Sequence, residues 1–222
     1  MTKLKQKLLI IVIQFALVAT AFSCKNEPQK KNINNTLQAA VKPSVIDTPI
    51  VFIQPLGEVN SDNIEVVKRG VIGFFGYKCI VKPKLELNKD LLAKSKTRYE
   101  ASKILAKFDG KDNLLILTEK DIACKNDKPK VDEWGIFGLG RRPGKVCVIS
   151  TFRLKRNVSK DLSHERLVKV CLHEIGHNIG LEHCTSGTNC MMNDANGTIR
   201  EVDSEKLWFC EACMSKVKNK LK

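Results

Sequence analysis

The stretch "HEIGHNIGLEHC", His173 to Cys184, gathers three of the chain's four histidines within eleven residues. His173 and His177 are four apart, so on a helix they share one face, a turn from each other. Two imidazoles placed this way can chelate a single metal, and Zn²⁺ is the usual choice for nitrogen ligands at this spacing. Glu174 follows the first of them, from where its carboxylate can reach a water on the metal instead of the metal itself. A straight helix cannot supply a third ligand well. Gly180, lacking Cβ, can take a left-handed conformation and turn the chain so that His183 swings back toward the same point. Three protein ligands leave a fourth position for water, which marks a catalytic rather than a structural metal site. A lone histidine is more often a hydrogen-bonded packing residue, but HExxH followed by Gly at three and His at six is too specific a pattern for that reading. His164 stands outside it.

These residues need a helix to hold them. "DLSHERLVKVCLHEIGHNIG" carries apolar residues at Leu162, Val168, Val170, Leu172, Ile175 and Ile179, with Ser159 or Ser163 to cap its start and Gly180 to stop it. Upstream, "PIVFIQPLG" reads as a strand closed by Pro and Gly. A helix capped by Ser61 or Asp62 follows and ends at Gly76. "YKCIVKP" is a second strand, and "LLAKSKTRYEASKILAKFDG" has helical period up to Gly110. "NLLILT" is apolar on both faces, hence a central strand. "WGIFGLG" and "KVCVIST" read as two more strands around the turn "GRRPG", and a C-terminal helix lies around "SEKLWFCEACMSKVKNKL". This order predicts an α/β (mixed α+β) single domain, a twisted mixed sheet with an active-site helix and a C-terminal helix.

The cysteines extend the pattern. Cys184 directly follows the third histidine, then come Cys190 and Met192, and after seventeen further residues Cys210 and Cys213. Two close-spaced pairs, the second a CxxC, suit a tetrahedral thiolate site, while in an exported protein the same four residues could pair as disulfides. HExxHxxGxxH with this cysteine and methionine continuation resembles the archaemetzincins (archaelysins) within the metzincin metallopeptidases. The resemblance continues more loosely through "IVFIQPLG", "RYEASKIL", "LTEKDI" and "VISTFRL". One departure is that Cys184 and Cys190 enclose five residues where the family usually has four, a loop insertion of small cost. The resemblance implies a catalytic zinc on His173, His177 and His183, with Glu174 as general base. It makes Met192, rather than Met191, the Met-turn residue beneath the site. It also implies a second, structural zinc on Cys184, Cys190, Cys210 and Cys213, so two Zn²⁺ per chain. Cys79, Cys124, Cys147 and Cys171 are left as disulfide partners or small apolar residues, with Cys171 facing away from the metal toward the core.

The expected activity is metal-assisted hydrolysis of peptide bonds, with an extended peptide or protein substrate lying along a sheet edge at "WGIFGLG" or "KVCVIST". Two other readings use the same metal: an exported, zinc-stabilised binding module without turnover, and a hydrolase of a non-peptide amide. Glu174 argues against the first, since a structural site has no use for it.

The first residues speak to address. Lys3, Lys5 and Lys7 precede an apolar run from Leu8 that is short for a membrane span, followed by small residues, which is the layout of a signal peptide over 1–23. An uncleaved anchor is the alternative. "ATA", Ala19 to Ala21, suits an ordinary signal peptidase, whereas "AFSC" resembles a lipoprotein box ending at a lipidated Cys24. The polar, aperiodic residues 24–45 read as a tether and favour the lipoprotein, leaving 46–222 as the zinc metallopeptidase domain. The expectation is an exported protein, a monomer, anchored to a membrane of the bacterial cell envelope through Cys24 and otherwise secreted. The net charge of +14 becomes +11 without the leader, 35 basic against 24 acidic residues. The lysines are scattered and few aromatics are interleaved with them, so no nucleic-acid partner is expected.

Overall fold

The computed structural model describes residues 48–127, 130–187 and 189–220. The leader, the tether and Cys24 lie outside these residues.

The fold is built on a five-stranded sheet. Its strands are β1 (Ile50–Pro55), β2 (Lys78–Val81), β4 (Asn113–Thr118), β7 (Gly138–Gly140) and β8 (Val146–Ser150), in the order β2-β1-β4-β8-β7. All neighbours run parallel except β7, which pairs antiparallel with β8. The apolar run of β4 therefore sits at the centre, and alternate residues serve two cores. Leu115 and Leu117 join the core under the long helices, while Leu114 and Ile116 join the core on the opposite face. Helices α1 (Ser61–Phe75) and α3 (Lys160–Ile179) cover the first face through Val67, Val71, Leu167 and Leu172. Helix α2 (Ala101–Lys107) covers the second with Ile104 and Leu105.

A smaller sheet, β3 (Tyr99–Glu100), β5 (Ile122–Asp127) and β6 (Lys130–Ile136), has the order β3-β5-β6. The mixed α/β architecture matches the expectation from the sequence, with five differences of detail, the first being that the C-terminal helix begins only at Glu211 and leaves "EKLWFC" outside it. Helix α1 is capped by Asn60, whose side chain accepts from the Asp62 N–H, and not by Ser61 or Asp62. The helical period read up to Gly110 holds only from Ala101; before it come a 3-10 turn, Lys89–Leu91, and strand β3. "WGIFGLG" is divided between β6 of the small sheet and β7 of the large one. "KVCVIST" supplies β8, which lies inside the sheet between β4 and β7, so β7 is the edge of the large sheet on this side, as β6 is an edge of the small one.

Beyond α3, the chain folds back through α4 (Ile199–Ser204) to α5 (Glu211–Lys220). The guanidinium of Arg166 on α3 grips Asp203 with two hydrogen bonds of 2.6 and 2.7 Å, fixing α4 across the helix that bears the histidines. Among the described residues no helix is long and apolar enough to cross a membrane.

Candidate metal centre and active site

Helix α3 starts where Ser159 accepts from the Leu162 N–H and ends at Gly180, whose φ of 97° is the left-handed conformation that favours glycine. The Gly180 and Leu181 N–H groups donate to the Gly176 and His177 carbonyls, closing the helix as the chain reverses. His173 and His177 project from the last turns, and the reversal places His183 beside them. One ligand atom from each of the three histidines lies within 4.8 Å of the others, and the Nε2 atoms of His177 and His183 are 3.2 Å apart.

The outer nitrogens show how the rings are held. His173 Nδ1 lies 2.7 Å from the Met191 carbonyl and His177 Nδ1 2.8 Å from the Leu181 carbonyl. A carbonyl only accepts, so each Nδ1 carries the hydrogen and each Nε2 turns a lone pair inward. His183 Nδ1 faces the Asp194 carboxylate at 3.4 Å. Burial lowers the His173 pKa to about 3, helped by the neighbouring His177 and opposed by the Met191 carbonyl. Burial also lowers that of His177. Neutral imidazoles with converging lone pairs are the form that binds a metal, so these residues fit a zinc ion.

Glu174 is 6% exposed and packs against β7. A Cβ added at Gly138 would stand 2.8 Å from both Cγ and Oε1 of Glu174, and one at Gly140 would stand 3.1 Å from Oε2. The carboxylate thus fills space that only glycines leave, and it accepts a hydrogen bond from the Gly140 backbone. Burial raises its pKa to about 8, and the Gly140 N–H opposes that rise. Met191 and Met192 are fully buried, and a Cβ at Gly176 would lie 2.5 Å from Met192 Sδ. Met192 therefore packs against the backbone of α3 between the two helical histidines, while Met191 contributes its carbonyl to His173.

The four expected cysteines also come together. Cys184, Cys190, Cys210 and Cys213 place their sulfurs within 4.8 Å of one another, all as free thiols. Cys184 Sγ and Cys210 Sγ are 3.5 Å apart, near the separation of roughly 3.8 Å that a tetrahedral Zn–S₄ centre with bonds of about 2.3 Å requires. Backbone N–H groups of Gly187 and Cys210 donate to Cys184 and Cys190 at 3.3 and 3.2 Å. Against the opposing effect of burial, the Ser186 and Gly187 N–H groups bring the Cys184 pKa down to about 7, toward the thiolate that a metal needs. The donor set fits a second zinc. Cys184 N–H also donates to the Met192 carbonyl at 2.6 Å, so the cysteine cluster and the segment beneath the histidines form one unit. Of the other cysteines, Cys147 and Cys171 are buried core thiols, and Cys79 and Cys124 are half-buried.

The histidines and Glu174 lie in a cleft of about 800 Å³, lined also by Phe137 to Gly140 of the β7 segment and by Val170, Val202 and Glu205. Gly138, Gly140, Gly176, Asp194 and Glu205 are site residues that reading the sequence did not single out. The "GLG" of β7 was the one available signal.

A family model described as peptidase family M54 matches residues 83–219. The archaemetzincin of Archaeoglobus fulgidus is 33% identical over 168 residues, covering 76% of this chain and 98% of that protein. The chain belongs to the archaemetzincins. The Methanocaldococcus jannaschii archaemetzincin is 28% identical over 176 residues, covering 77% of this chain and 93% of its own. The crystal structure of the A. fulgidus archaemetzincin superposes with a TM-score of 0.67, covering 75% of this chain and 99% of that one. That of Methanopyrus kandleri superposes with a TM-score of 0.65 at 27% identity, covering 82% and 99%. As an archaemetzincin the chain is a zinc-dependent metallopeptidase, a hydrolase acting on peptide substrates. The reading as a binding module without turnover is set aside.

Proposed function

We propose that His173, His177 and His183 hold the catalytic zinc, that Glu174 is the general base, and that Cys184, Cys190, Cys210 and Cys213 hold a second, structural zinc. The observation that carries this is the convergence of three imidazoles beside a buried carboxylate cradled by glycines of an open sheet edge. A zinc ion held by His173, His177 and His183 would supply the Lewis acidity that polarises a scissile carbonyl and lets water attack at neutral pH. Glu174 accepts the proton of the attacking water and delivers it to the leaving amine, a role its buried carboxylate in the cleft of the three histidines equips it for. Strand β7 positions the substrate: its outer edge faces the cleft, and an extended peptide adds to it as a further strand. The Met191 and Leu181 carbonyls and the Asp194 carboxylate hold the histidines in place as the substrate exchanges.

We also propose that residues 1–23 direct export, that Cys24 is lipidated, and that residues 24–45 tether a monomeric peptidase domain to the cell envelope. The basic start and the short apolar run support this reading. The catalytic assignment is tested by measuring zinc content and cleavage of a mixed peptide library in parallel, on the protein and on Glu174→Ala. Two zincs per chain in both proteins, with cleavage in the first alone, is the expected result. A single zinc per chain would show that the four cysteines do not hold metal.

A further inference from the structure

The cleft is lined by a further buried acid that the hydrolytic mechanism does not use. Glu205 caps the C-terminal end of α4, with its N–H donating to the Glu201 carbonyl at 3.1 Å. Only 7% of the residue is exposed, yet it lines the same cleft as His173 and Glu174. Its Oε1 is buried and has no hydrogen-bond partner among the described residues. Leaving a buried carboxylate oxygen without a donor is costly, so the position is unfavourable for the free protein unless something else supplies one.

The surrounding charges do not satisfy it. Lys169 is 2% exposed and its charge draws on Glu205, but its ammonium donates to Glu165 at 2.7 Å and to the Val202 carbonyl at 3.2 Å. Arg166 is taken by Asp203, and Glu201 adds a repelling charge. The cleft's two lining cations, Lys125 and Arg142, share it with Glu174, Asp194 and Glu205, and neither makes a hydrogen bond to Glu205 Oε1. Burial accordingly raises the Glu205 pKa to about 8, with Glu201 adding to the rise and Lys169 opposing it. The approach to Glu205 is apolar: Val170, one turn before Glu174 on α3, and Val202, one turn before Glu205, both line the cleft.

We propose that Glu205 is a specificity-determining residue that selects peptides with lysine or arginine next to the scissile bond. The aliphatic stem of such a side chain lies along Val170 and Val202, and its cationic end pairs with the part of the Glu205 carboxylate that lines the cleft. A site built around a buried hydrogen-bonding group discriminates strongly against ligands that cannot pair with it, because the group is then left unsatisfied. An aspartate or glutamate in the same place would meet like charge, and a norleucine would fill the apolar walls while leaving Oε1 alone.

This inference rests on the peptidase reading above, and its test separates the two. The zinc-loaded protein is assayed on peptides that differ only in carrying lysine, arginine, norleucine or glutamate beside the cleavage site. In parallel, binding of lysine hydroxamate and norleucine hydroxamate, which share the metal-seeking group, is compared by calorimetry. The expected result is a tenfold or greater advantage of the basic residue in kcat/KM and in affinity, falling to within about twofold in Glu205→Gln. The lysine–norleucine comparison in the unsubstituted protein carries the test alone if the variant does not fold. Equal affinity of the two hydroxamates, or a basic preference that survives Glu205→Gln, overturns the proposal. Failure to cleave any peptide together with a tenfold preference for lysine hydroxamate would count against the peptidase reading while upholding the role of Glu205.

Discussion

Two histidines of the candidate centre are held by backbone carbonyls, those of Met191 for His173 and Leu181 for His177, while His183 stands 3.4 Å from the Asp194 carboxylate. The carbonyls belong to the chain reversal and to the buried methionine segment, so they cannot be removed by substitution. Asp194 can. It is also the one partner that carries charge, and it serves the most exposed of the three rings, His183, whose side chain is 41% exposed. A carboxylate on Nδ1 fixes the ring and raises the basicity of Nε2, and outer-sphere partners of this kind are typically worth about 10–100-fold in metal affinity. Asp194→Ala is therefore expected to weaken zinc binding at the histidine site at least tenfold in a chelator competition, while the cysteine site keeps its metal. Unchanged affinity at the histidine site would mean that the 3.4 Å contact orients nothing.

Among the elements, α3 and β7 form the site, and they differ in how plainly the sequence announces them. Helix α3 has every local cue: a serine cap, an apolar stripe, and a glycine at the point where the chain must turn left-handed. Strand β7 is three residues long, and its glycines serve α3 rather than their own strand. That purpose exists only after sheet and helix have packed. Gly138→Ala tests it. The new methyl group would stand 2.8 Å from Glu174 Cγ and Oε1, displacing the base without touching the histidines. Peptide cleavage is expected to fall about 100-fold with zinc content unchanged, since small misplacements of a catalytic group have costs of this order. Full activity would show that Glu174 does not need the cradle.

The other elements follow the same division. The strands β1, β4 and β8 were readable because burial on both faces demands continuous apolar runs. The hairpin of β5 and β6 was not, because its burial is partial and "CKNDKPKVDEW" alternates weakly and contains a proline. Helix α4, six residues long, lacks the length for a periodic signal, and it is held by the pair of Arg166 and Asp203 rather than by its own propensity. Glu205 was invisible for a related reason: a glutamate in "VDSEKLW" reads as surface, and only the packing of α4 against α3 buries it.

On the scale of the whole molecule, the third histidine, the methionine segment and both ends of the cysteine cluster are joined by short connections. His183 and Cys184 are adjacent, Cys184 bonds to Met192, and Met191 bonds to His173 and, through its N–H, to Trp208. A metal on the cysteines would thus brace a metal on the histidines, the structural role proposed for it. Membrane attachment belongs to this scale too. If Cys24 carries a lipid, Cys24→Ala moves the protein from the membrane fraction to the soluble fraction of a cell lysate without altering peptide cleavage. An unchanged distribution would rule out a lipid at that cysteine as the anchor.

The most direct test of the central claim compares peptide cleavage by the protein and by Glu174→Ala at equal, measured zinc occupancy. Loss of a positioned general base costs about 10²–10⁴-fold, so the account requires kcat/KM to fall by at least a hundredfold while two zincs per chain remain bound. Cleavage that survives the substitution at the same zinc content would contradict it, because Glu174 would then not be the base that activates water in this cleft.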